Sequence, residues 1–221
     1  MLDKLKSTNR LHEFLFMGGL SLFCFSLSII RVICSDTKLF LFLNWNLFLA
    51  CIPWILTTWL IIRPTIQQYK IAIGFIISLW VLFFPNAPYI LTDLFHLQRK
   101  LSMPVWFDLV LILSFAWTGI LFGFLSLWDI ELIFSKFMKQ KYLSALSIAL
   151  LFLSSFGVYL GRYLRWNSWD IVQNPFGLAY DIGDRFLNPF AHPRAWGMTV
   201  FMGFFLSILY FSFKMIKRRE Y

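Results

Sequence analysis

Six long apolar runs, separated by short polar segments, dominate the pattern of hydrophobic and polar positions along the chain. Each run is close to the roughly 20 residues that an α-helix needs to cross a hydrocarbon core of about 30 Å. The sequence therefore predicts an all-α fold, a polytopic membrane helical bundle with six transmembrane helices in a single membrane domain over residues 1–221. The predicted spans are residues 14–33, 39–62, 71–91, 105–128, 143–160 and 196–213.

The third run is interrupted by two prolines. Ile71 to Phe84 would reach only about 21 Å as a helix, so the residues that follow must complete the crossing. Pro85 and Pro88 have no N–H to donate, which leaves the carbonyls of Val81 and Phe84 without their helical partners. Backbone groups in lipid need other partners, so we expect this Pro-broken helix end to face protein or a water-filled pocket.

A short amphipathic helix is predicted between the fourth and fifth spans, over residues 129–142. Apolar residues recur there on one helical face, and three lysines lie off that face. This pattern is typical of a helix that lies on the membrane surface, here the cytoplasmic one. The apolar positions are Ile130, Ile133, Phe134, Phe137 and Met138.

Composition supports the membrane assignment. The chain is 59% hydrophobic and 14% charged, whereas soluble domains carry about 25% charged residues. A net charge of +9 does not indicate nucleic acid, because no basic run is interleaved with aromatics outside the apolar segments. The three cysteines, Cys24, Cys34 and Cys51, lie within or beside apolar runs, which argues against a disulfide framework or a zinc knuckle.

The distribution of basic residues predicts the orientation in the cell membrane. Six spans place both termini on one side, and that side receives twelve of the 20 lysines and arginines. Because basic residues are enriched in cytoplasmic segments, we expect both termini in the cytoplasm. Arg31, near the far end of the first span, is expected to extend its side chain to the opposite interface.

Polar residues within the spans are predicted to gather at the extracytoplasmic ends. With cytoplasmic termini, this level holds Asn44 and Asn46, the stretch 86–99, Asp108 and the stretch 162–170. Polar groups at membrane depth are costly and usually mark a site or pathway. We therefore expect these residues to share one cavity near the outer leaflet, and expect the cytoplasmic half of every span to be nearly devoid of polar side chains.

Asp93 and His96 are the candidate catalytic residues. Three positions apart, they share a face if the chain recoils into a helix after Pro88, and the carboxylate could then orient the imidazole. The pair could act as a general base held by an acid, as two metal ligands, or as interfacial residues that meet water and headgroups. No standard metal-ligand spacing is present, so no metal is assigned.

Arg162 and Arg165 could clamp an anionic headgroup, because arginine offers a planar fork that suits phosphate or carboxylate. An ordinary interfacial belt of arginine and tryptophan is the alternative. Asn167 and Asp170 could bind ligand or cap the following turn, and Asp108 could carry a proton, pair with an arginine or lie at the interface. The candidate substrate-binding residues are Asn44, Asn86, Tyr89, Arg99, Asp108, Arg162, Arg165, Asn167 and Asp170.

Three groups of residues carry a resemblance to a known family. They are Asn44-Trp45, Phe84-Pro85-Asn86-Ala87-Pro88-Tyr89 with Thr92-Asp93, and Gly161-Arg162 with Arg165, Ser168 and Trp169. At these positions the chain resembles an uncharacterised bacterial integral-membrane family, domain of unknown function 1361, roughly from the second span to the last. The resemblance implies a multi-pass bacterial membrane protein and supplies no activity, substrate or catalytic residue.

The leading functional hypothesis is a pocket that binds or modifies an anionic lipid or lipid-linked substrate. The alternatives are a small transporter or channel, suggested by the broken helix, and a non-catalytic membrane assembly or scaffold protein. The sequence contains no Gly-rich phosphate loop, no Gly-x-Ser-x-Gly and no His-Glu-x-x-His. It leaves the reaction, the cofactor and any protein partner unassigned.

Overall fold

Six helices of the computed structural model, which describes residues 10–97 and 103–217, are long and apolar enough to cross a membrane. The described residues are 86% helical and contain no strands. The predicted all-α, multi-pass fold is confirmed, and five of the six spans extend beyond their predicted ends. The spans are Leu11–Ser35, Phe42–Ile62, Lys70–His96, Val105–Phe134, Gln140–Tyr163 and Pro193–Lys217.

The chain divides into two compact units, Met1–Ile130 and Glu131–Tyr221. The first unit contains the first three spans and most of the fourth. The second unit contains the fifth and sixth spans and the connection between them, which includes the short helices Asp170–Gln173 and Pro175–Leu187. A 3₁₀ turn, Pro64–Gln68, joins the second and third spans, and another, Pro189–Ala191, precedes the sixth.

The third span is broken at the predicted prolines. It consists of an α-helix over Lys70–Phe83, one turn over Asn86–Tyr89 and a 3₁₀ helix over Ile90–His96. Pro88 cannot donate to the carbonyl of Phe84, as expected, and the chain tightens so that the Ala87 N–H donates to this carbonyl instead at 3.2 Å. The Asn86 side-chain amide donates to the Phe83 carbonyl at 2.9 Å and satisfies a second backbone acceptor at the break.

Two glycines of the fourth span receive the broken segment. A Cβ at Gly119 would lie 2.9 Å from the Ala87 carbonyl oxygen and 2.8 Å from Ile90 Cδ1. A Cβ at Gly123 would lie 2.9 Å from the Ala87 Cβ. Because any larger side chain would push the two backbones apart, this Gly-x-x-x-Gly run fixes the height and angle of the segment that carries Asp93.

The predicted separate amphipathic helix over 129–142 is wrong. Residues 129–134 continue the fourth span, 135–139 form a turn, and the next helix begins at Gln140. Ile130 and Ile133 are buried at 2% and 3% exposure. Since Asp129 and Glu131 also have buried partners, the helix extends over residues that looked amphipathic.

The connection before the sixth span is folded rather than an irregular polar loop. Asn174 caps the helix Pro175–Leu187 by accepting from the Gly177 N–H at 3.1 Å, and proline occupies the first helical position. Leu178 and Ile182 of this helix pack against a buried cluster in the same unit. The cluster consists of Phe156, Tyr159, Leu160 and Ala195.

Candidate functional site

Asp93 is the most deeply buried of the candidate residues on the broken third span. Its side chain is 1% exposed, and its Oδ2 accepts a hydrogen bond from the Asn46 amide at 3.0 Å. The Thr92 hydroxyl donates to the Tyr89 carbonyl at 2.6 Å and holds the preceding turn. The break therefore places a carboxylate inside the first unit and fixes one of its two oxygens.

His96 lies at the end of the same 3₁₀ helix and is accessible. Its side chain is 47% exposed, and its Nδ1 lies 3.9 Å from Asp93 Oδ1, which is too long for a hydrogen bond. Its ring packs against Phe42 with the centroids 5.5 Å apart. The arrangement is an accessible imidazole beside a buried carboxylate, and it can accept or donate a proton.

The two asparagines of the second span have different roles. Asn46 contacts Asp93, as described, whereas the Asn44 amide donates to Ser28 at 2.9 Å and to the Leu41 carbonyl at 3.1 Å. Asn44 Oδ1 is buried without a hydrogen-bond partner. Asn44 therefore joins the first and second spans and lies apart from the Asp93 hydrogen bond.

Asp108 forms a buried ion pair with Arg31. The Arg31 Nε donates to Asp108 Oδ1 at 2.8 Å, and the side chains are 1% and 2% exposed. Arg31 also donates to the Ser35 and Thr37 hydroxyls, and its guanidinium lies 5.4 Å from the Phe40 ring centroid. The expectation that Arg31 extends to the interface is wrong, because these partners satisfy its charge inside the protein.

Arg162 and Arg165 stand at the end of the fifth span, in the second unit. The Leu164 and Trp166 N–H groups both donate to the Leu160 carbonyl, at 3.1 and 3.2 Å, and close the helix. This closure places Arg165 in the left-handed region, at φ 62°, a position that glycine usually occupies. The Arg165 side chain is exposed and that of Arg162 is half-buried.

Asn167 and Asp170 form a local turn after this helix end. Asp170 Oδ2 accepts from the Asn167 backbone N–H at 2.6 Å and from its amide at 3.3 Å. The geometry fits the capping interpretation of this pair. Arg99 lies outside the described residues, and the expectation that the 86–99 and 162–170 stretches share a cavity stays a prediction.

An acidic and basic cluster organises the connection of the second unit. Arg185 Nη1 contacts Asp181 Oδ1 at 2.7 Å and Asp184 Oδ2 at 3.5 Å, and His192 Nε2 lies 2.7 Å from Asp184 Oδ2. Hydrogen bonds from Asn188 and from His192 lower the pKa of the half-buried Asp184 carboxyl below its ordinary value. These acids are therefore occupied by neighbours in their own segment.

No metal centre is found in this part of the molecule. Within residues 10–97 and 103–217, no group of three His, Cys, Asp or Glu side chains could hold a metal ion. Asp93 and His96 supply two candidate ligands, and the neighbouring Asn46 contributes its N–H to the carboxylate. A carboxylate and an imidazole are groups that can each accept or donate a proton.

The sequence reasoning missed buried charges at the opposite ends of the spans. In the first unit, Asp129 Oδ2 accepts from Arg10 and from Thr57, each at 2.8 Å, and Glu13 accepts from Arg10 and Trp54 at 2.6 and 2.8 Å. The expectation of a nearly apolar cytoplasmic half is therefore wrong. One signal in the sequence could have indicated these buried charges: Asp129 follows directly on the apolar residues Leu127 and Trp128 at the end of the fourth run.

A second buried cluster surrounds Glu131 in the second unit. Its Oε1 accepts from the Ser147 hydroxyl at 2.6 Å and from the Tyr210 hydroxyl at 3.0 Å, and its Oε2 accepts from Lys214. Glu131 and Lys214 side chains are 9% and 6% exposed. The cluster connects the end of the fourth span to the fifth and sixth spans. Lys214 was counted in the sequence only as a basic residue that favours a cytoplasmic terminus, and in the structure it is also a buried partner of Glu131.

Comparison with protein-family models gives a match. The family model described as a protein of unknown function, DUF1361, matches residues 45–209. The matched range includes Asn46, Asp93, His96, Arg162 and Arg165. No curated protein and no solved structure matches the chain.

Proposed function

We propose that this chain, which belongs to the DUF1361 family, binds an anionic lipid or lipid-linked substrate at the extracytoplasmic ends of its spans. The observation that carries the proposal is the pairing of Asp93, 1% exposed, with the half-exposed imidazole of His96. A buried carboxylate is costly within a membrane protein unless it has a task or a partner. Here the partner Asn46 holds one oxygen, and the other faces His96.

The proposed role of His96 is proton transfer. Asp93 Oδ1, 3.9 Å from the imidazole Nδ1, orients the ring from the same helical face. Catalytic contacts are often longer without substrate and shorten when it binds. Asp93 is therefore a positioning residue, and His96 is the group that touches the substrate.

The proposed role of Arg162 and Arg165 is to hold the charged group. A guanidinium can form two parallel hydrogen bonds with a phosphate, which suits an anionic headgroup. The backbone supports a role for Arg165, because a non-glycine residue in the left-handed region costs about 1–2 kcal/mol. Such strain is concentrated at functional sites. Among the described residues Asp36 and Phe40 share this backbone conformation, and Arg165 differs from them in having a long, exposed, positive side chain.

Arg165→Gly separates ligand binding from folding. Glycine relieves the strain at φ 62°, so we expect the free energy of unfolding to stay unchanged or rise by up to about 1 kcal/mol. The preference for phosphatidylglycerol over phosphatidylcholine should fall about tenfold, because a charge-assisted hydrogen bond is lost. The measurement is the ratio of the two lipids retained on the purified protein, determined by native mass spectrometry at equal lipid concentrations.

The matched control is Lys136→Gly, which removes the same charge from an exposed turn. Its lipid ratio should equal that of the wild type. If both variants lower the ratio equally, the preference reflects net charge and the proposed role of Arg165 is wrong. An unchanged ratio in Arg165→Gly would also overturn it.

A further inference from the structure

An aromatic and apolar stripe runs along the helix Pro175–Leu187. Phe176, Tyr180 and Leu187 are 87%, 75% and 83% exposed. Their spacing of four and then seven residues places them on one face of the helix, and Gly183 lies in the same stripe. Large side chains at such exposure, contiguous along a helix, mark an interaction surface.

The other faces of this helix are already occupied within the second unit. Leu178 and Ile182 pack on the buried cluster around Phe156. Asp181 and Arg185 form an ion pair at 2.7 Å, and the Trp166 indole donates to Asp181 at 2.8 Å. The helix is thus held in place by two faces, which directs the third face outward.

The two ends of the connection indicate that this surface lies close to the membrane. The fifth span ends at Tyr163 and the sixth begins at Pro193, so the segment between them is tethered at both ends to helices that cross the membrane. The apolar surface continues along the segment through Val172, 82% exposed, and Phe190, 98% exposed. A helix tethered in this way stays close to the membrane, where an exposed apolar face can meet lipid.

Positive charge lies at both ends of the connection. Arg165 is exposed directly after the fifth span, and the Arg194 guanidinium lies 5.4 Å from the Tyr163 ring centroid at the base of the sixth span. Asp181 is paired with Arg185 and Asp184 with His192, and Asp170 accepts from the Asn167 N–H. Basic groups beside exposed aromatics match the phosphates and the acyl boundary of a leaflet.

We propose that the helix Pro175–Leu187 lies in the membrane interface, with Phe176, Tyr180 and Leu187 inserted at the boundary between headgroups and acyl chains. The partner is the lipid leaflet on the side of the membrane opposite the termini. This surface is separate from the proton-transfer pair proposed above, and its test does not depend on that pair. It gives the chain a seventh membrane-embedded element that does not cross the bilayer.

The test places a bimane fluorophore on single cysteines in the full chain. Phe176→Cys, Tyr180→Cys and Leu187→Cys are made in a background where Cys24, Cys34 and Cys51 are replaced, and the proteins are reconstituted in phosphatidylcholine nanodiscs. A nitroxide on carbon 5 of the acyl chain should quench all three labels, and aqueous iodide should quench them about tenfold less than a solvated label. Gln173→Cys, an exposed polar position of the same connection, should show the reverse pattern.

Two results would overturn the proposal. Labels at 176, 180 and 187 that iodide quenches as strongly as the label at 173 would place the stripe in water. Labels that neither the lipid nitroxide nor iodide quenches would place it against protein, such as a second copy of the chain. Because the substituted side chains are exposed, wild-type elution on gel filtration is expected and confirms that each variant is folded.

Discussion

Replacing Asp108 by alanine is expected to lower the free energy of unfolding by about 3–5 kcal/mol, because Arg31 then keeps a buried charge without its counter-ion. The two side chains are 2% and 1% exposed, and their contact is 2.8 Å long. The Ser35 and Thr37 hydroxyls would remain as neutral partners of Arg31. Unfolding by sodium dodecyl sulfate in mixed micelles, followed by circular dichroism, measures the change.

The matched control replaces both partners by apolar residues. Arg31→Met combined with Asp108→Leu should differ from the wild type by less than the single variant does, since neither charge remains to be buried. The two single variants should be non-additive in a double-mutant cycle. A cost below about 1 kcal/mol for Asp108→Ala, the value of an exposed pair, would show that Arg31 and Asp108 are solvated.

Replacing Glu131 by alanine is expected to have an effect of similar size, about 3–5 kcal/mol. It removes the acceptor shared by Ser147, Tyr210 and Lys214. A buried ammonium and two buried hydroxyls then lose a hydrogen bond together, and an unsatisfied buried group is itself costly. The same detergent unfolding measurement applies, since the cluster ties three spans to each other.

Two further variants show which part of Glu131 matters. Glu131→Gln keeps an acceptor oxygen and should cost less than Glu131→Ala. Lys214→Met should partly rescue Glu131→Ala, because it removes the buried ammonium that has lost the Glu131 carboxylate. If Glu131→Ala alone leaves the unfolding midpoint unchanged, the carboxylate does not contribute to the packing of these spans.

The spans were predictable because their signal is local. A run of about 20 apolar residues forms a membrane-spanning α-helix in a bilayer, because the helix satisfies all of its own backbone groups. The prolines at 85 and 88 predict a break within the third run. The helix ends were less predictable. Ile130 and Ile133 show the same periodicity whether a helix lies on the surface or continues a span, and only their burial, 2% and 3%, distinguishes the two.

The buried ion pairs could not be predicted because their partners are distant in sequence. Arg31 and Asp108 are separated by 77 positions, and Arg10 and Asp129 by 119. Each arginine, viewed alone, resembles a residue that sets orientation or extends to the interface. Which acid it meets depends on helix packing, which single-sequence periodicity does not specify.

The candidate site was located by sequence in part. The polar composition of the broken stretch singled out Asp93 and His96, and the asparagines of the second span were recognised as polar residues at the same level. The sequence did not indicate that Asn46, rather than Asn44, contacts Asp93, a contact across 47 positions. The left-handed backbone conformation of Arg165, at φ 62°, could not be predicted either, because no neighbouring residue in the sequence indicates it.

Photo-crosslinking with a phosphatidylglycerol that carries a diazirine in its headgroup tests the proposed anionic-lipid site most directly. After irradiation of the full chain in bilayers, we expect labelled peptides that contain residues 86–97 and 162–170, and weak labelling of the turn at 135–139. A phosphatidylcholine analogue with the same diazirine should label these peptides much less. Equal labelling by both lipids, or labelling confined to other peptides, would contradict the account.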